Sequence, residues 1–386
     1  MGSAMATIGW SQSGICPHLA SHAVAPVDNA SGLAHGPSRA MTAAAPVRRS
    51  MFIRGVKMRV TKPLALLFIG SSVLSGCASA PVVATLAQGQ VGALRLESRD
   101  IAEGDFLAKR PSGTAAIVSG DLRLPEAGDG RRVPAVILVH GCSGVTAATE
   151  NWARELPWIG IATFHLDSFS GRNIREICTG RERLSTGSRV IDVYRALALL
   201  ATHPRIDPAR ITLMGFSHGG RVALWAAFTR FQQAWAPAGA RFAAHLAFYP
   251  ASCWFTLRED ERLAAVPVRI FHGEADDWTT IGPCRAYVER VRRSGADIAM
   301  IEYAAAHHGF DNPRLPAYLR RPDVLNPSAC HFVEQEPGQV IDASTGQPAG
   351  VDAPCFTRGA TVGYNAEATR QAIRDVQTFL TEVLRP

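Results

Sequence analysis

An α/β domain, with a mostly parallel central sheet and helices on both faces, is the fold this sequence predicts, and three features predict it. From about residue 91 onward, strand-like and helix-like segments alternate without an internal repeat. The run Ala135–Val139 is continuously apolar, as a strand covered on both faces must be. A serine sits on a glycine-rich turn between a strand-like and a helix-like segment. Parallel strands need long crossovers, and helical crossovers cover both faces of the sheet they connect.

Strand-like runs fall at Thr114–Leu124, Val133–His140, Ile159–Leu166, Ile211–Gly215, Ala243–Tyr249, Val266–His272 and Asp297–Tyr303. Ser188 is positioned to cap a helix running to about Thr202, where Ile191, Ala196, Leu199 and Leu200 recur at helical spacing. Arg221–Phe228 and Gly282–Arg293 read as further helices. In the last helix, capped by Asn365, Ala372, Ile373, Val376, Phe379, Leu380 and Val383 form one apolar stripe. The segment Asp311–Gly363 breaks this rhythm. It is rich in Pro and Gly, contains Cys330 and Cys355, and reads as an insertion that is either a lid or a disulfide-stapled excursion.

The chain has 386 residues, 47% of them hydrophobic and 19% charged, which excludes a disordered chain, a collagen-like repeat and a polytopic membrane protein. The net charge of +7 is concentrated near the N-terminus. Residues 1–76 hold seven basic groups and one acid, so the remainder is nearly neutral and no nucleic-acid partner is expected. An apolar run, Leu64–Leu74, follows Arg54, Lys57, Arg59 and Lys62 and is too short to span a bilayer comfortably. Basic, apolar and small-residue regions in that order read as a signal peptide over 58–76. Leu74-Ser75-Gly76-Cys77 resembles the lipobox of bacterial lipoproteins, which implies lipidation of Cys77 and a domain tethered to the membrane. Met58 is the better start for such a leader, leaving residues 1–57 as an upstream extension expected to be disordered. Residues 77–90 read as a linker and 91–386 as the folded domain. The expected location is the bacterial cell envelope, on the periplasmic side. Export also changes the reading of Cys142, Cys178, Cys253, Cys284, Cys330 and Cys355, since an even number in an oxidising compartment suggests disulfides. None has the spacing of a zinc site, and no metal is expected.

Gly215-Phe216-Ser217-His218-Gly219 matches G-x-S-x-G in strand–turn–helix context. A serine hydroxyl is a weak nucleophile at neutral pH and needs a base that is itself oriented by an acid. Downstream, Asp276 and His308 each follow a strand-like run, in the Ser…Asp…His order of α/β-hydrolases. Asp277 and His307 are the neighbouring alternatives. The spacing Gly273-x-x-Asp276 favours Asp276, and His308-Gly309-Phe310 favours His308. His140 and His272 close apolar strands and read as structural. His140-Gly141-Cys142-Ser143-Gly144 follows a central strand, so the backbone N–H groups of Cys142 and His218 are the expected oxyanion donors. Trp254, Phe255 and Trp278 are candidates for a substrate pocket or for the core.

With these motifs together, the chain resembles the dienelactone hydrolase family of α/β-hydrolases over about Thr114–Leu384. The resemblance implies one catalytic domain, no cofactor, and hydrolysis of small-molecule carboxylic esters or lactones. It also implies the pairings Cys142–Cys178, Cys253–Cys284 and Cys330–Cys355. The family's eponymous enzymes use a cysteine nucleophile and lack an insertion like 311–363, so Ser217 points to a broader esterase than one for dienelactone. The same triad would also serve an exported peptidase or acyltransferase, and a non-catalytic envelope-binding lipoprotein is the alternative from another class.

Overall fold

The computed structural model describes residues 80–126, 130–180 and 183–385. The upstream extension, the signal peptide and Cys77 lie outside the described residues. In chain order the elements are β1 (Gly92–Asp100), α1 (Glu103–Leu107), β2 (Thr114–Arg123), β3 (Val133–Val139), α2 (Ala147–Glu155), β4 (Ala162–Asp167), α3 (Thr186–Leu200) and β5 (Ile206–Phe216). There follow α4 (His218–Trp225), α5 (Thr229–Trp235), β6 (His245–Phe248), β7 (Phe255–Thr256), β8 (Val268–Gly273), α6 (Ile281–Arg293) and β9 (Ile298–Tyr303). Strands β10 (Leu319–Asn326), β11 (Phe332–Glu336), β12 (Gln339–Asp342) and β13 (Thr357–Val362) precede the last helix, α7 (Ala366–Val383).

Eight strands form the main sheet in the order β1-β2-β4-β3-β5-β6-β8-β9. The β1–β2 and β2–β4 pairs are antiparallel and every other pair is parallel. This is the α/β-hydrolase architecture. The alternation along β3 shows how two cores arise: Ala135, Ile137 and Val139 join one with residues of α3, α4 and α6, whereas Val136 and Leu138 join the other with residues of α2 and α7. Both sets are fully buried, so β3 reads as an unbroken apolar run.

Local chemistry moved several boundaries. Helix α3 is capped by Ser185, not Ser188: the Ser185 hydroxyl accepts from Ser188 N at 2.9 Å, and the Ser188 hydroxyl instead accepts from Ile101 N. The strand expected from Ile159 begins at Ala162, because Leu156–Ile159 form a 3-10 turn closed by Gly160 at φ 79°. Asn365 caps α7 as expected, accepting from Glu367 N and Ala368 N. Residues read as a linker are docked: Leu86 is fully buried, and its N–H donates to Thr202.

The insertion is not structureless. Strands β10 and β13 pair antiparallel, with a register break between Arg321 and Leu325, while β11 pairs with β12 and, in parallel, with the two-residue β7. Its irregular register and short strands leave no sequence period to detect. All three disulfides implied by the resemblance are present, Cys142–Cys178, Cys253–Cys284 and Cys330–Cys355. The last packs with Trp254 and Phe332 in a small satellite core. Among the described residues no helix is long and apolar enough to cross a membrane. Replacing Cys330 and Cys355 together by serine should cost about 3 kcal/mol in urea unfolding, because the bridge closes a loop with a separation of 25 residues.

Candidate active site

Strand β5 ends at Phe216 and α4 begins at His218, so Ser217 alone makes the turn. It does so at φ 55° and ψ −113°, a left-handed conformation that costs a non-glycine residue about 1–3 kcal/mol. The turn is possible only because its neighbours lack side chains. A Cβ at Gly219 would lie 2.1 Å from the Val139 carbonyl oxygen, and one at Gly215 would lie 1.9 Å from that of Gly219. Main-chain bonds hold the elbow: Ser217 N donates to Phe248 O at 2.9 Å, and Ala251 N donates to Ser217 O at 3.0 Å.

The loops after β8 and β9 bring the acid and the imidazole to this elbow. His308 Nε2 lies 2.9 Å from Ser217 Oγ, and His308 Nδ1 lies 2.8 Å from Asp276 Oδ2. The pairing with a carboxylate selects the tautomer with the proton on Nδ1, which leaves Nε2 free to accept the serine proton. All three residues are buried. Asp276 Oδ1 also accepts from Trp278 N and Thr279 N, at 2.9 and 2.8 Å, and Oδ2 accepts from Thr279 Oγ1 at 2.8 Å. Burial pushes the Asp276 carboxyl up, but the charge and hydrogen bond of His308 outweigh it, so the group is held below its usual value and stays ionised at neutral pH. The rings of Tyr249 and Trp278 lie against His308 with centroids at 4.6 and 4.8 Å, which fixes the imidazole plane.

The neighbouring alternatives have other partners. Asp277 accepts from Thr361 N, Thr361 Oγ1 and Arg320 Nη1 at 2.7–2.9 Å, so it ties the insertion to the body of the domain. His307 lies 2.9 Å from Ala275 O and edge-on to Tyr318 of the insertion. His140 and His272 are buried, with their ring nitrogens against Gly141 O and Ser168 N, and Gly273 O, respectively. His140 accepts from Ser168 N, and burial, aided by the charge of Arg189, pulls its pKa down to about 3.

Of the two oxyanion candidates, His218 is the first residue of α4, where a helix has no carbonyl of its own for the N–H. The Cys142 loop passes against the elbow, since a Cβ at Gly141 would be 3.3 Å from Ser217 Cβ. That loop is secured by the Cys142–Cys178 bridge and by a bond from Ile177 N to Cys142 O.

The insertion walls one side of the site. Trp278 Nε1 donates to Leu325 O at 2.8 Å, Leu325 N donates to Cys178 O at 2.9 Å, and Val324, Ala360 and Val362 pack with Cys178 and Trp278. Trp278 therefore belongs to the site, whereas Trp254 packs in the satellite core under the insertion, with Phe255 against it. Two residues unforeseen in the sequence also matter. Thr279 was signalled only by the Asp-x-x-Thr spacing of a side-chain-capped turn, and Tyr249 by nothing local. Among the described residues no cluster of three or more His, Cys, Asp or Glu could hold a metal ion.

The dienelactone hydrolase family matches residues 122–384 of the sequence. No curated protein matches it. Among solved structures, a dienelactone hydrolase-like promiscuous phosphotriesterase from metagenomic libraries is similar at 19% identity with a TM-score of 0.46, covering 76% of this chain and 99% of that one. Thermogutta terrifontis esterase 2 phosphorylated by paraoxon is similar at 20% identity with a TM-score of 0.42, covering 51% of this chain and 81% of that one. The propionate-bound form of that esterase gives 20% identity and a TM-score of 0.41, over 50% of this chain and 80% of that one. Because the family match extends over well more than half of its 386 residues, the chain belongs to the dienelactone hydrolase family and is a carboxylic ester hydrolase.

Proposed function

We propose that this protein is an exported serine hydrolase that cleaves small-molecule carboxylic esters or lactones through an acyl-enzyme. One observation carries the reading: a single buried imidazole lies within hydrogen-bond distance of both Ser217 Oγ and the Asp276 carboxylate. In the first step Ser217 Oγ attacks the substrate carbonyl carbon as its proton passes to His308 Nε2. The imidazolium so formed faces an ionised Asp276, and the negative charge on the former carbonyl oxygen is received by the N–H groups of Cys142 and His218. Collapse of this intermediate expels the alcohol, which takes the proton from His308. Water then enters, loses a proton to His308 and attacks the acyl carbon, which releases the acid and restores Ser217. With a lactone the alcohol stays attached to the acyl group, and one hydroxy acid leaves.

The buried acid, base and nucleophile favour an ester-scale substrate reaching the elbow beside Trp278 and the Cys142–Cys178 bridge. Export is supported by the leader-like segment before Cys77 and by three disulfides, which persist in oxidising compartments. A lipid on Cys77 would hold the domain on a membrane.

Ser217→Ala should abolish both p-nitrophenyl acetate turnover and fluorophosphonate labelling while leaving the thermal midpoint near that of the parent protein. Labelling retained in this variant would remove Ser217 as nucleophile. Asp276→Asn should lower kcat by about 10³-fold or more, since the amide cannot hold the reactive tautomer or balance the imidazolium. Asp277→Asn should leave kcat close to the parent value and instead lower stability by about 1 kcal/mol, read by chemical denaturation. The reverse pattern would exchange the two roles. Expressed with its leader in a bacterium, the chain should incorporate labelled palmitate, and Cys77→Ala should prevent this and release the protein from the membrane fraction.

A further inference from the structure

We propose that Arg189 is a positioning residue for the oxyanion hole, a single buried guanidinium that clamps both chain segments carrying the oxyanion donors. The proposal rests on the serine-hydrolase reading above and deepens it. Arg189 lies in the first turn of α3, at 0% exposure. Its Nη2 donates to the carbonyl oxygen of His140 at 2.6 Å, and its Nη1 donates to Nδ1 of His218 at 2.8 Å. His140 immediately precedes Gly141-Cys142, and His218 is the residue whose own N–H opens α4. One rigid, planar fork therefore sets the spacing between the loop after β3 and the start of α4. A peptide plane held through its carbonyl is also held at its N–H, so the bond to His140 O fixes the orientation at which the chain enters the Gly141-Cys142 turn.

The electrostatics make the arrangement more than a strut. A buried guanidinium without a contacting carboxylate is costly. Here both contacts are neutral acceptors. Burial, reinforced by the charge of Arg189, keeps His140 and His218 unprotonated. Asp192, one turn along α3, is engaged by both terminal nitrogens of Arg172 at 2.8 Å. Arg189 Nε has no hydrogen-bond partner, and the ring of Phe169 lies 5.2 Å from the guanidinium carbon. Burial lowers the pKa of Arg189 to about 9, so it remains charged at neutral pH. A buried positive charge, partly offset by the carboxylates of Asp192 and Asp167, thus touches the two segments at which the reaction creates a negative oxygen. That field favours the tetrahedral intermediate over the neutral ester.

The test compares Arg189→Met, which keeps most of the volume, with Arg189→Lys, which keeps the charge and one donor. Each is assayed for kcat and KM on p-nitrophenyl acetate, for thermal midpoint, and for affinity towards a trifluoromethyl ketone, which forms a tetrahedral oxyanion on Ser217. Arg189→Met should lower kcat by about 10- to 100-fold with KM nearly unchanged, and weaken the ketone by a matching factor, with Arg189→Lys recovering part of both. A merely structural role would lower the thermal midpoint without selective loss of the ketone, and that result would overturn the proposal. A folded Arg189→Met with parental kcat would do the same. If Arg189→Met does not fold, His218→Ala answers the question, because it keeps the backbone donor and removes one arm of the clamp; unchanged kcat and ketone affinity there refute the clamp. Absence of ester turnover and of fluorophosphonate labelling in the parent protein would defeat the serine-hydrolase reading itself, an outcome distinct from any of these.

Discussion

The strained turn at Ser217 is the constraint on which the rest of the site depends. A serine held at φ 55° presents its hydroxyl beyond the sheet, and only a close fit around it can sustain that conformation. The fit comes from parallel register. Val139 of β3 aligns with Gly215 of β5, Phe216 of β5 with Phe248 of β6, and Phe248 with Phe271 of β8. The carboxyl ends of these strands therefore finish at a common level, which is where open α/β sheets place their ligands. The loops that follow β3, β8 and β9 emerge beside the elbow because their strands end there. Gly219 lies so close to the Val139 carbonyl that any larger residue would push the helix off this rim.

Adjacent residues then take different partners. Asp276 and Asp277 point in different directions, one accepting from His308 and the other from Thr361 and Arg320. His308 and His307 divide in the same way, with His307 near Ala275 O and Tyr318. Through Asp277, His307 and Trp278, the insertion is fastened to the same two loops that carry Asp276 and His308. It also reaches the Cys142–Cys178 bridge, through Leu325 and Cys178. A segment that looks like an excursion in the sequence is thus part of the wall around Ser217, Asp276 and His308.

Two buried carboxylates close to His308 show how donor count sets their chemistry. Asp276 accepts from an imidazole, two backbone amides and a hydroxyl, and its pKa is lowered despite burial. Asp311 is equally buried, but its side-chain donors are the Tyr249 hydroxyl at 2.6 Å and the Trp152 indole at 2.8 Å, and its pKa is raised. Its role in the geometry is to hold Tyr249, whose ring packs on His308 while its backbone sits at φ 35°. The imidazole is consequently packed against the Tyr249 and Trp278 rings before any substrate binds.

Taken alone, the sequence determined the α/β class, the elbow with its serine, and the short set of acids and imidazoles that follow the later strands. Those features are local: periodicity, turn glycines and caps act within about ten residues, so they are written contiguously. Asn365 as a cap and the apolar β3 belong to this group. The tertiary structure decided which of two neighbouring aspartates faces the imidazole, that Ser185 rather than Ser188 caps α3, that 311–363 folds into short strands, and that Arg189 lies under the elbow. Each of these depends on partners far away along the chain, such as Thr361 for Asp277, Ile101 for Ser188, and His140 and His218 for Arg189. No local pattern encodes such a choice, because its energy comes from contacts that exist only once the sheet has set its register.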